Sequence, residues 1–291
     1  MNNKKLRITA LIGLAAILVG SIMGIIGWYG NDSKLDTLSF DRGFHIEKYV
    51  TRQGYDVKDV KNLELDTHDA DITIKRGNEF GLKTRLLSQD RVTVKRDGNH
   101  VTVKNQGFEV KNIVTGYDQP TITVTLPVDY PLDELNIKVQ GGTLDISKLK
   151  VEQKTEIQNI DGGIILNHVD FKNGSIRNDG SGTRLEGGNF QQMEFINNAP
   201  FRAIKTNFMG DNTVKVQDNR VVLTQPQSNL AVDLTAHDGN VDVQNQKDVQ
   251  TKRHDDGDFS TDKTTFGQDD ENKLHVIATN GDIHVSDTED Y

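Results

Sequence analysis

The segment DGSGTRLEGG, Asp179 to Gly188, has the glycine density of a phosphate-binding loop, and its Ser181 sits between glycines like a hydrolase nucleophile. Spacing argues against both chemistries. A phosphate loop ends in Gly-Lys-Ser/Thr and opens a helix whose first amides meet the anion, whereas here no helical period follows. A nucleophile elbow needs glycines two residues to either side of the serine, where Asp179 and Thr183 stand. The eight histidines, His45, His68, His100, His168, His237, His254, His275 and His284, form no H-x-x-x-H or H-E-x-x-H pair for zinc, although His275 and His284 flank one expected hairpin. Carboxylates crowd HDDGDFSTD (His254 to Asp262) and DDEN (Asp269 to Asn272) without the spacing of an EF-hand. A solvated acidic loop is the expectation there, with weak calcium binding the less favoured alternative. Asp145, Asp161, Asp170 and Glu186 could supply the paired acids of glycoside cleavage, but each lies beside a turn, where such side chains bond locally. We therefore expect no catalytic, cofactor-binding or metal-binding residue, no cofactor, and a non-enzymatic protein. A wall-polysaccharide-active enzyme is the less favoured alternative.

Elements that could position these groups follow from the composition. The 291 residues allow one large domain or two, with 26 Gly, 5 Pro and 6% aromatics, a balance suited to many short strands and turns. Without cysteine, stability must come from packing and backbone pairing. Lys4, Lys5 and Arg7 are the only charges in the first thirty residues; setting them aside from the 34 basic side chains leaves 31 against 43 acidic ones. So acidic a body repels phosphate backbones, and no nucleic-acid partner is expected.

The run ITALIGLAAILVGSIMGIIGWY, Ile8 to Tyr29, holds 22 residues without a charge. As a helix it would extend about 33 Å, close to one hydrocarbon thickness. Three cations precede it and Trp28 and Tyr29 close it, so the expected topology is single-pass in the cell membrane, N-terminus cytoplasmic and C-terminal body extracytoplasmic. A cleaved signal peptide would show a shorter apolar run and an A-x-A site, which GWYGNDS lacks. Gly20 and Gly24 form a GxxxG, although Gly13 and Gly27 show that small residues are simply common here.

Residues 1–7 are thus expected to be a basic cytoplasmic tail, 8–29 the transmembrane anchor, 30–56 a polar stalk with room for a short helix or strand of its own, and 57–291 one β-rich domain whose polar loop at 247–273 is either mobile or a long excursion from the sheet. Within the domain, apolar and polar residues alternate. RVTVKRDGNHVTVKN (Arg91 to Asn105) folds back at Asp97-Gly98-Asn99, a hairpin by its turn chemistry. LNIKVQGGTLDIS, EIQNIDGGIILNHV, SIRNDGSGTRLEGG and EFINNAPFRAIKTNF share one layout of strand, small insert and strand. If Gly141, Gly162, Gly180 and Ala199 mark equivalent points, the spacings are 21, 18 and 19 residues, one coil of a β-solenoid. LAVDLTAHDGNVDVQN and LHVIATNGDIHVS echo the motif.

TITVTLPVDYPLDELNIKVQGGTLDISKLK, Thr121 to Lys150, together with HDGNVDV and TNGDIHV, resembles the bacterial adhesin-like domains of unknown function called toast-rack domains, in particular their LiaG-like members. The resemblance spans about Val57 to Val285 and departs at NNAP, where Ala199 and Pro200 replace the Gly and acid and leave that rung's register open. It implies an all-β, right-handed, one- or two-sheeted solenoid-like stack outside a bacterial membrane, associated in some relatives with envelope stress. The expected function is a membrane-anchored, extracytoplasmic binding or scaffold protein of the cell envelope with an envelope-protein partner; a cell-surface adhesin or spacer is the alternative.

Overall fold

A computed structural model describes residues 13–14, 16–21, 37–40, 44–107, 113–115, 118–255, 260–268 and 271–288. The chain divides into two units, 1–49 with 109–118, and 50–108 with 119–291. In the first, residues 13–14 and 16–21 are helical, and Thr37–Phe40 pairs antiparallel with both Phe44–Glu47 and Ile113–Thr115. Most of the apolar run Ile8–Tyr29 lies outside the described residues; among those described, no helix is long and apolar enough to cross a membrane.

The second unit is all-β and built from stacked rungs, each a strand of one sheet followed around a corner by a strand of the other. Among the described residues there are nine. In stacking order the first three are His100–Asn105 with Thr121–Pro127, Asn62–His68 with Asp71–Gly77, and Leu132–Gln140 with Leu144–Ser147. Val151–Ile160 with Gly163–Asn167, Asp170–Asn178 with Gly182–Glu186, and Asn189–Asn197 with Phe201–Ile204 follow. The last three are Asp211–Gln217 with Val221–Thr224, Lys273–Thr279 with Ile283–Ser286, and Ala231–His237 with Val241–Val243. Neighbouring rungs pair in parallel.

Parallel, in-register stacking forces every side chain to sit above its equivalent one rung away, so the alternation seen in sequence becomes continuous columns. Val103, Leu65, Ile137, Ile157, Ile176, Phe195, Val214, Val276 and Leu234 form one column through all nine rungs, each at most 2% exposed. Val124, Ile74, Ile146, Leu166, Leu185, Ala203, Leu223, Val285 and Val243 face it from the other sheet. Burying each such aliphatic chain contributes about 1.5–3 kcal/mol. Around the sixth rung the interior is filled by Phe190, Phe195, Phe201 and Phe208, with Phe195 meeting the other three edge to face.

The corners explain the glycines. Counting two residues beyond the buried column Asn105, Thr67, Val139, Asn159, Asn178, Asn197, Val216, Ala278 and Ala236 gives Gly107, Asp69, Gly141, Asp161, Gly180, Ala199, Asp218, Asn280 and Asp238. All but Gly180 and Ala199 are left-handed, a conformation that Gly, Asn and Asp tolerate best. Asp161, not Gly162, is therefore the second mark, and the spacings become 20, 19 and 19. Gly162 occupies the next position for another reason: a Cβ there would stand 1.8 Å from the Gly142 carbonyl oxygen. The NNAP rung stays in register, Asn197 beside Asn178 and Phe201 beside Thr183.

One expectation is corrected, and two segments are defined more closely. TNGDIHV, between His275 and His284, is a corner joining the two sheets and not the expected hairpin, and HDGNVDV, which echoes the same motif, is a corner too. The stalk reaches into the fold, since Tyr49–Gln53 lies along Gly81–Leu87 at the edge of the short-strand sheet. The polar segment 247–273 contains Gln250–Asp255 and Ser260–Phe266, an antiparallel hairpin that covers the edge of the ninth rung. Its alternation of Thr and charge hid it, because only one face packs on the stack.

Candidate functional site

The groups singled out in the sequence do not converge. The glycine-rich run 179–188 spans two corners and the strand between them: Asn178 Oδ1 accepts from Gly180 N, its Nδ2 donates to Gly182 O, and Ser181 N donates to Gly162 O. These bonds consume the amides that a phosphate would need. His275 faces Asp233 on the long-strand sheet and His284 lies 2.9 Å from Asp242 on the short-strand sheet, so this pair is separated by the body of the stack. Asp145 stands mid-wall, Asp161 turns the first corner of its coil, and Asp170 begins the strand after the opposite corner, accepting from Asn189. Glu186 is held by Arg184. In the acidic segment, residues 256–259 and 269–270 lie outside the described residues, while Arg253 faces both Asp255 and Asp262. Among the described residues, no three His, Asp or Glu side chains converge on a cation site.

Two features do form organised surfaces. On the outer wall of the long-strand sheet, one column reads Thr102, Glu64, Asn136, Glu156, Ser175, Glu194, Thr213, His275, Asp233. Acids never stand on adjacent rungs, so like charges avoid the spacing of about 4.8 Å between strands. The neutral neighbours bind them instead: Thr102 Oγ1 donates to Glu64 at 3.0 Å and Ser175 Oγ to Glu156 at 2.6 Å. Two residues along, the column reads Lys104, Asp66, Lys138, Gln158, Arg177, Ile196, Lys215, Ile277, Thr235, so its bases stand on alternate rungs, with Lys104 3.5 Å from Asp66 and Lys215 donating to Glu194 at 2.6 Å. Nearer the opposite corner, Lys150 and Lys172 clasp Glu152 at 2.7 and 3.2 Å. Hydrogen bonds from Lys150 and then Lys172 lower the Glu152 pKa, and the same carboxylate raises that of Lys150.

The second feature lies at the first-rung end, where antiparallel strands replace the parallel stack. A cavity of about 1070 Å³ opens between the loop after Tyr49–Gln53, the turn before Gly81–Leu87, and Thr125. Tyr55 and Phe80 are its half-buried aromatic walls; Phe80 is fixed by an edge-on contact with Tyr130 at 4.8 Å. Asp56, Lys58, Glu79 and Lys83 are exposed around them, with Asp56 held by Arg96 at 2.8 Å. Sequence inspection assigned residues 53–56 to a stalk and missed this site. Its legible trace was Phe80, the lone apolar residue in the polar turn Gly77–Gly81.

Close by in sequence, Asp90 closes the turn after Gly81–Leu87, its Oδ2 accepting from Leu87 N while Oδ1 has no partner. Burial raises its pKa to about 6, against the lowering effect of the Leu87 amide.

A model of the family Toastrack DUF4097 matches residues 60–287. No curated protein matches the chain. Among solved structures, the chain is similar to a candidate cell adhesion protein of Clostridium sporogenes, at 9% identity over 83% of this chain and 100% of that one, with a TM-score of 0.35. It is similar to a candidate adhesin of Bacteroides fragilis, at 11% identity over 83% and 97%, with a TM-score of 0.35. A candidate lipid-binding protein of Parabacteroides distasonis is similar at 11% identity over 82% and 96%, with a TM-score of 0.40.

Proposed function

The chain belongs to the Toastrack DUF4097 family, and from that premise we propose that it is a non-enzymatic binding or scaffold module, held outside a bacterial membrane by Ile8–Tyr29, that engages an envelope protein along its outer wall. The striped wall carries this reading. A sheet face with Glu64, Glu156 and Glu194 on alternate rungs of one column, and Lys104, Lys138, Arg177 and Lys215 on the intervening rungs of the next, is a regular charge template in which Glu156 and Glu194 are already bonded to neighbouring rungs. Electrostatic complementarity of this kind selects partners and sets register more than it adds raw affinity. A link to envelope stress would follow from the partner's identity.

The absence of cysteine makes topology directly measurable. With Asn3→Cys and Lys138→Cys variants in intact cells, a membrane-impermeant maleimide is expected to label position 138 at once and position 3 only after lysis. Labelling of neither or both before lysis would refute the anchored topology. A photo-crosslinker at Lys138 or Arg177 is expected to capture one membrane protein, and reversing both stripes by Glu156→Lys and Arg177→Glu to abolish capture. Unchanged capture would remove the wall from the interaction.

A further inference from the structure

We propose that the cavity at the first-rung end is a binding site for a neutral oligosaccharide. Four observations bear on ligand class. The cavity's volume, about 1070 Å³, is at the upper end of ligand pockets, so it suits a chain of rings better than one small molecule. Tyr55 and Phe80 line the cavity while packing partly on the core, and aromatic rings are the groups whose negative π faces suit the slightly positive C–H faces of pyranose rings; Phe80 is held by its edge-on contact with Tyr130. The ionic rim is of mixed sign: Glu79 and Asp56, the latter tied to Arg96, stand among Lys58 and Lys83. A ligand charged either way would meet like charge there, whereas hydroxyl groups both donate to carboxylates and accept from ammoniums. Gln53 and Asn78 add amides that do both.

The site also looks built for access. Among the described residues, Lys58, Glu79 and Lys83 make no ion pair, so their hydrogen-bonding capacity stays open. At Gly54, with φ +89°, a side chain would have had open space, so the glycine serves the turn and leaves the mouth clear. The inference stands whether or not the chain is membrane-anchored and whether or not the wall holds a protein, since it uses residues of neither.

Full-length protein in lipid nanodiscs, probed by saturation-transfer difference NMR with maltotetraose, chitotetraose and tetragalacturonate, tests it. At least one neutral tetrasaccharide is expected to receive saturation, strongest at its ring C–H protons, with tetragalacturonate weaker. Tyr55→Ala should weaken that binding by about tenfold or more, as loss of an aromatic anchor does. Because Tyr55 also touches the core, the exposed pair Lys58→Ala and Asn78→Ala, which leaves packing alone, should weaken it several-fold at unchanged melting temperature. No transfer to either neutral probe, preference for tetragalacturonate, or affinity indifferent to all three substitutions would each overturn the proposal.

Discussion

Two kinds of corner residue carry opposite predictions. Gly142 lies where a Cβ would approach the Ala70 carbonyl oxygen to 2.1 Å, and that carbonyl is fixed by the neighbouring rung. Gly142→Ala is expected to cost about 2–4 kcal/mol, read as a fall in the denaturant midpoint. From the third rung on, the second corner column, Lys148, His168, Gly187, Lys205, Gln225, Asp287 and Asn245, is left-handed at every position but Asp287, yet includes types that favour that conformation little. Lys148→Gly relieves strain of about 1–2 kcal/mol while adding some unfolded-chain entropy, so a net gain of up to about 1 kcal/mol is expected. Asp90 gives a pH effect. Its folded pKa, about 6, lies above the ordinary 3.8, so its stabilising contribution is fully present below about 3.8 and is lost as pH rises through 6. Asp90→Asn should flatten the stability profile between pH 4 and 7 and raise stability at pH 7.5 by on the order of 2 kcal/mol. Urea melts across that range would show it; a parallel shift at every pH would refute it.

At the scale of elements, the ends of the stack matter most. A parallel stack leaves an open sheet edge at each terminus, a template for joining another copy. Here antiparallel strands cover the long-strand sheet at both ends: Val92–Asp97 beside the first rung and the Gln250–Phe266 hairpin beside the ninth. The outermost strand of the hairpin is exposed throughout and carries Lys252 and Arg253, which discourage further pairing. Excising residues 247–268 and joining the ends with a short Gly/Ser linker should therefore produce concentration-dependent oligomers by light scattering. A monomeric variant would show that the short strand Val241–Val243 and corner charges suffice as a barrier.

Over the whole second unit, chain order and stacking order disagree at both ends. The eighth rung is the last in sequence, Lys273–Ser286, yet it is inserted between the seventh and the ninth. In a simple solenoid, removing the last segment costs only its own neighbour contacts. Here truncation after Asn272 would empty a slot flanked by strands on both sides and release the ninth rung with its hairpin. Hydrogen exchange should then accelerate across 230–266 as well, and a peptide of residues 273–288 added in trans should restore protection. Protection retained without the peptide would mean the ninth rung closes directly on the seventh.

Strand content, the coil length near 19 residues, and the acid-poor apolar run at the start were legible in the sequence because each is a local or periodic property: side chains alternate with the pleat, and corners demand Gly, Asn or Asp every turn. The resemblance carried by Thr121–Lys150 was legible for the same reason. Rung order at the two ends, the hairpin over the ninth rung, and the one-residue correction from Gly162 to Asp161 were not. Nor was the cavity, whose walls come from residues 53–58, 78–83 and 125. Those features depend on which strand lies beside which, a choice made by pairing between distant segments whose local patterns are nearly identical. Only the folded chain, by burying one set of columns and closing each end with antiparallel strands, decided among them.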